Sequence, residues 1–197
     1  MEERDKRRVG EQIEPGGRPK APGRLELLQR FVNSHNHDFP PHWDRIGTAG
    51  KAEAWLRRKR LVAPGDEVSE ADAARLRELR EAIRALVIAN QRGEPAPTDV
   101  FLKVSGAAPL NVAIDATGQT VLEPARAGVD GAVATLLGIL HEAQLTGHWS
   151  RLKGCRQCGY AFFDRSKNRS AAWCAMSICG NRTKNRAYYR RRRTSTR

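Results

Sequence analysis

Residues 155–182 read CRQCGYAFFDRSKNRSAAWCAMSICGNR and hold all four cysteines of the 197-residue chain. They fall as Cys155-x2-Cys158, fifteen residues, then Cys174-x4-Cys179. Each short spacer lets one turn present two thiolates, and a loop of this length can fold back to join the pairs. That is the ligand pattern of a tetrahedral four-cysteine zinc site. Gly159 and Gly180 follow Cys158 and Cys179, where a tight turn around a metal favours a residue that tolerates positive φ. The rival reading, two disulfides, needs an oxidising compartment, and nothing in the sequence points to export. One structural zinc on Cys155, Cys158, Cys174 and Cys179 is therefore expected. Four thiolates fill the coordination sphere and leave no open position for water or substrate, so the metal should fold the segment rather than catalyse. The surrounding segment has few large apolar side chains and is too small to be held by burial alone.

Charge points the same segment towards a partner. Residues 150–197 carry fourteen Lys or Arg against one acid, Asp164, which is the whole of the chain's +13 excess; the rest of the chain is balanced. A cationic excess confined to one ordered module is the electrostatic footprint of a nucleic-acid binder. Asn181 is a good N-cap residue type, and from Arg182 onward the chain can be helical. Arg182, Arg186, Arg190 and Arg193 then share one face, with Lys184 beside them. The loop between the cysteine pairs adds Arg165, Lys167 and Arg169. Tyr188 and Tyr189 interrupt the charge and are expected to pack back on the finger or to contact sugar.

Upstream, the first 23 residues mix six bases with five acids and include Pro15, Gly16, Gly17, Pro19 and Pro22. This composition predicts a disordered tail, in which Lys6, Arg7 and Arg8 could brush a phosphate backbone. Leu25, Leu27, Leu28, Phe31 and Val32 predict a helix with one buried face. It runs into a polar stretch holding His35, His37, Asp38 and His42. His35 and His37 would point to different sides of a helix, and no HxxxH spacing occurs, so a polar loop is the plainer reading than a second metal site. Thr48 can cap a helix through Trp55 and Leu56 that ends in Arg57–Arg60, cations that suit a helix C-terminus. Ser69 with Asp72 opens a long amphipathic helix through Leu76, Leu79, Ile83, Leu86 and Val87. On it Arg80 and Arg84 lie one turn apart, with ion pairing as the ordinary role and ligand contact as the other.

A short helix around residues 99–104 follows. Alternating residues 110–115 and 120–123 then predict a hairpin. Residues 129–146 predict an apolar helix ending at Gly147, with His141 near its end at the edge of the core or as a capping residue. The fold class expected is thus α+β, mostly α: a helical domain with one β-hairpin over 24–147, and a four-cysteine zinc module over 148–193.

The strings CRQCGYAFFDRSKNRS, WCAMSICGNR and TKNRAYYRRRR resemble the CGNR-type zinc finger, named for the tetrapeptide that here is Cys179, Gly180, Asn181 and Arg182. FVNSHNHDFPPHWDRI and LRELREAIRAL resemble the opening and long helix of the ABATE domain that precedes such fingers, so the resemblance spans roughly residues 24–193. It implies a DNA-binding transcription regulator, and the N-terminal domain of such a protein could sense a small-molecule effector or form a homodimer. The candidate ligand contacts in that domain are Asn33, His35, His37, Arg80 and Arg84. DNA over RNA rests on the resemblance; an RNA- or ribosome-associated protein would use the same charges. A metal-dependent enzyme rests only on the histidines near His35, without a nucleophile–base pair or phosphate-cradling motif, so no catalysis is expected. The charged N-terminus lacks an apolar signal region, and no run is long enough to span a bilayer. A cytoplasmic, nucleoid-associated protein with no membrane partner is the corresponding expectation.

Overall fold

The computed structural model describes residues 14–194, apart from Phe39, Ala96 and Pro97. Helix α1 (Leu25–Val32), α2 (Ala49–Arg58) and α3 (Glu70–Arg92) are followed by the short α4 (Asp99–Ser105). An antiparallel hairpin, β1 (Leu110–Ile114) with β2 (Thr120–Pro124), leads into α5 (Gly128–Leu145). A second small antiparallel pair, β3 (Leu152–Gly154) with β4 (Ala161–Phe163), starts the finger, and α6 (Asn181–Thr194) ends it. The mostly helical α+β class holds. No helix among the described residues is long and apolar enough to cross a membrane.

The helix ends follow from local chemistry. Thr48 caps α2 by accepting the Lys51 amide. At α3, Ser69 Oγ accepts the Asp72 amide while Asp72 takes the Ser69 amide, a reciprocal capping box worth about 1 kcal/mol. Gly93, at φ 69°, closes the far end of α3 with its amide on the Ala89 carbonyl. In the first hairpin Asp115 Oδ1 accepts the amides of Thr117 and Gln119 and so shapes the turn.

The core lies where α1, α2, α3 and α5 meet, around Phe31, Trp55, Leu79, Ile83, Leu136 and Ile139, all buried. It does not stop at the finger. Leu152, Ala161 and Phe163 belong to the same cluster. Strand β3 lies along α3, and a Cβ on Gly154 would sit 3.2 Å from the Ile88 Cα and closer still to its side chain. Only glycine lets these two backbones approach this far. The finger is therefore built onto the helical domain through a shared core.

Two expectations are corrected here. Residues 14–23 do not belong to a disordered tail. Glu14 and Ala21 are buried, and Pro15–Gly17 form a 3-10 turn whose Gly16 packs on Ala175 of the finger. The composition that reads as disorder is satisfied instead by contacts to distant segments. Lys6, Arg7 and Arg8 lie outside the described residues. His141 is exposed on α5 rather than at the edge of the core.

Candidate metal centre and nucleic-acid interface

Strand β3 delivers Cys155 to a tight knuckle. The Cys155 amide donates to the Tyr160 carbonyl at 2.9 Å, and the Gly159 amide donates back to the Cys155 carbonyl at 2.9 Å. Gly159 closes the loop at φ 70°, the conformation its residue type was expected to supply. The second pair is presented differently. Met176–Gly180 form a single π-helical turn, and the amides of Cys179 and Gly180 both donate to the Ala175 carbonyl. A side chain on Gly180 would run into Met176 Sδ.

The four sulfurs all lie within 4.8 Å of one another. Cys158 to Cys174 is 3.8 Å, and Cys174 to Cys179 and Cys179 to Cys158 are each 3.7 Å. Sulfurs placed about 2.3 Å from a common centre at tetrahedral corners are about 3.8 Å apart, so the thiols already have the spacing of a zinc shell. Without a cation they could not all ionise. Hydrogen bonds from Cys158 and Cys174 hold the Cys155 thiol low. Giving its proton towards Cys155, and burial after that, pushes Cys158 up to about 12. Cys174 is raised for the same reason, and Cys179 chiefly by burial. A doubly charged ion removes this conflict by stabilising every thiolate at once. The site holds one structural zinc. Among the described residues no other group of Cys, His, Asp and Glu is placed to hold a metal.

An unforeseen pair orders the loop between the cysteine pairs. Lys153 and Asp164, both buried, meet at 3.0 Å. Asp164 also accepts the amides of Ser166 and Ala171, and Lys153 reaches the Arg169 carbonyl. Burial alone would raise the Asp164 carboxyl, but hydrogen bonds from Ser166 and Lys153 outweigh it and hold it low. Lys153, counted by sequence among the cations of the basic module, is thus neutralised inside it. A lysine in a short strand gives no signal that its partner will be the module's only acid.

The cations expected to meet nucleic acid fall in two sets with different anchors. Arg165 donates to the Lys20 carbonyl at 3.2 Å, and Arg169, at φ 49°, donates to Ser150 Oγ; Lys167 is exposed between them. The second set is on α6. Asn181 does not cap this helix. It is already helical (φ −63°, ψ −41°), because the π turn runs into α6 without a break. Thr183 Oγ1 donates to the Cys179 carbonyl at 2.8 Å and lies 3.3 Å from the Gln157 side-chain amide, placing the first turn against both knuckles. Arg182, Lys184, Arg186 and Arg190 are exposed, and the Arg193 side chain lies outside the described residues. Arg182 approaches Asp38 at 3.5 Å. Tyr188 and Tyr189 do not pack back on the finger; they are 49% and 64% exposed.

The candidate ligand contacts of the helical domain are mostly engaged internally. Asn33 pairs with the backbone of Ala161. Arg80 grips Asp44 through two bonds of 2.7 and 2.9 Å. That pairing outweighs burial, holding the Asp44 carboxyl low and the Arg80 guanidinium high. Arg84 donates to the carbonyls of Val32, His35 and, in the finger knuckle, Gly159. His37 pairs with Glu81 at 3.1 Å. His35 alone keeps a buried, unpartnered Nε2, and burial lowers its pKa. Asn33, Arg80 and Arg84 thus brace the helical domain from within.

A helical domain fused through its core to a four-thiolate knuckle defines a zinc-finger protein whose metal is structural. Residues 25–153 match the ABATE family, described as "Putative stress-induced transcription regulator", and residues 151–192 match the CGNR zinc finger. The chain belongs to the ABATE family and carries a CGNR finger at its C-terminal side. No curated protein matches it.

Proposed function

We propose that the protein is a DNA-binding transcription regulator that uses α6 as its principal contact. The observation that carries this reading is the environment of α6. It is a 14-residue helix, about 21 Å long, anchored to the zinc knuckles through Thr183 and otherwise polar and cationic at its described surface. A helix with no apolar face gains little from the protein it leaves, whereas rigid anchoring of its first turn suits insertion along a groove. Arg165, Lys167 and Arg169 supply a second, phosphate-seeking surface on the finger loop. Zinc positions these groups and takes no part in bond chemistry, since no ligand place is left open; the protein is not an enzyme on this reading. Its place of action would be the nucleoid, and a homodimer would match a two-fold operator.

A second reading has its own observation. The exposed rings of Tyr188 and Tyr189 are stacking platforms for unpaired bases, which would make RNA the target. Genome-wide DNA capture on the tagged protein, with competition between duplex DNA and folded RNA at matched salt, separates the two. Enrichment of discrete duplex sites that RNA does not compete away supports the regulator. Preferential loss to RNA overturns it.

A further inference from the structure

A cleft of about 660 Å³ lies between the turn joining α2 to α3 and the turn joining β2 to α5. Its size falls within the range of about 300–1,000 Å³ typical of small-molecule sites. The walls are mostly apolar, with Leu61, Val62 and Thr135 among them, and three arginines, Arg57, Arg60 and Arg126, are among the lining residues. One acid, Asp66, shares the lining, but its Oδ2 is occupied by the Ala63 amide at 2.8 Å.

The three arginines are not equally committed. Arg57 pairs with Glu53 one helical turn away, and Arg126 with Asp130 at 3.3 Å. Both pairs are partly exposed, and such pairs hold weakly, at about 0–1 kcal/mol. Arg60 makes no side-chain hydrogen bond or ion pair among the described residues, and its backbone sits at φ 55°, unusual for a residue with a Cβ. The cleft also meets the start of α5, where Ala127 offers no side-chain cap to the first-turn amides.

We propose that this cleft binds a small organic anion: a carboxylate carried on a compact apolar body. The apolar walls would cover the body, and the arginine forks would take the carboxylate with directional, charge-assisted bonds. The uncapped end of α5 adds favourable field of the same sign. The assignment goes beyond the nucleic-acid reading and does not depend on it. Occupancy would act on α5, whose other end passes through the Trp149–Arg151 turn into β3 of the finger.

The test uses the full-length zinc-loaded protein without nucleic acid. Hexanoate and phenylacetate are titrated while amide shifts are followed by NMR, with hexanamide, phenylacetamide and inorganic phosphate as comparators. The expected result is saturable shifts at Arg60, Ala63 and Gly128 with at least one acid, and binding about tenfold weaker or worse for its amide and for phosphate. Arg60→Gln and Arg126→Gln, both at the surface, should each weaken the acid several-fold. Thr135→Met should block it by filling the wall. Should Thr135→Met disturb the fold, the two arginine variants decide. The assignment is overturned if neither acid gives saturable shifts at these residues, if amide or phosphate binds as well as acid, or if the arginine variants bind unchanged.

Discussion

Asn33, at the C-cap of α1, satisfies both backbone polar groups of Ala161 in the finger: its Nδ2 donates to the Ala161 carbonyl at 2.7 Å, and its Oδ1 accepts the Ala161 amide at 2.8 Å. One side chain thus completes the free edge of β4 as a neighbouring strand would. Gln29, one turn earlier, adds a longer bond to the same carbonyl. Asn33→Ala would leave buried donors and acceptors unpaired, at about 1–3 kcal/mol for each group left unsatisfied. Thermal denaturation should show a loss of that order, and zinc should become easier to strip with a chelator. A variant as stable and as retentive as the parent would mean that the bond contributes nothing.

Removal of the metal should reach beyond the finger. Fresh reduced protein should carry one zinc per chain by elemental analysis, and Cys174→Ser should lose it. Because Leu152, Ala161 and Phe163 are part of the main core, unfolding residues 153–193 also uncovers α3. The melting temperature of the whole chain should therefore fall, where a freely appended module would have spared the helices. Backbone NMR of the Cys174→Ser variant checks this; unchanged α3 resonances would contradict it.

Glu14 gives the docked N-terminal arm a pH dependence. It accepts from Gln29 at 2.9 Å and from the Tyr160 hydroxyl at 3.4 Å, and burial pushes its carboxyl up to about 7 from 4.5 against the opposing pull of Arg30. A carboxyl raised on folding favours the protonated form. Its contribution is complete below about pH 4.5 and is lost as pH rises through 7. The parent should lose stability, and its arm should become more open to protease, as pH rises from 4.5 to about 7, with little further change above that. Glu14→Gln, which keeps an acceptor and removes the charge, should flatten that dependence. Parallel profiles for both proteins would show that Glu14 is not the titrating group.

The arginines of α6 should divide by position. Arg182 sits on the anchored first turn and is held at 3.5 Å from Asp38, a half-exposed pair worth at most about 1 kcal/mol to stability. Arg182→Ala should leave zinc content intact and cost about 1–3 kcal/mol on a preferred duplex, with less loss on random DNA. Asp38→Asn, which removes the competing acid, should not weaken binding. Replacing Arg190 to Arg193 with Gln should weaken all sequences alike and lower the salt slope by about 0.9 for each phosphate that is no longer neutralised. Anisotropy titrations at several salt concentrations measure each effect. Equal weakening on every sequence for Arg182→Ala would make that residue a phosphate ligand rather than a base reader.

Where a segment's structure depends on neighbours along the chain, reading the residues was enough. Cys155-x2-Cys158 and Cys174-x4-Cys179 carry their own turns and meet through the metal they share. Ser69 with Asp72, the stripe from Leu76 to Val87, the hairpin turn after Asp115 and Gly147 after α5 each act within a few residues. The places of Asn33, Arg80, Arg84, Lys153 and the arm at Glu14 were not legible in this way. Asn33 and Ala161 are 128 positions apart, and nothing local in an asparagine after an amphipathic helix says that its amide will complete a strand edge. Ion pairing is the ordinary expectation for Arg80 and Arg84 and is what they do, but sequence shows their charge and not the carbonyls and the distant carboxylate that the packed loops bring to them. Asn181 has the chemistry of a cap, yet the turn around Cys179 arrives already helical and takes that role away. Local propensity and metal-ligand spacing act over one or two turns and are written in order along the chain. Which buried polar groups find each other is decided only when the core of α1, α3 and α5 closes, since the cost of leaving any of them unpaired is incurred there.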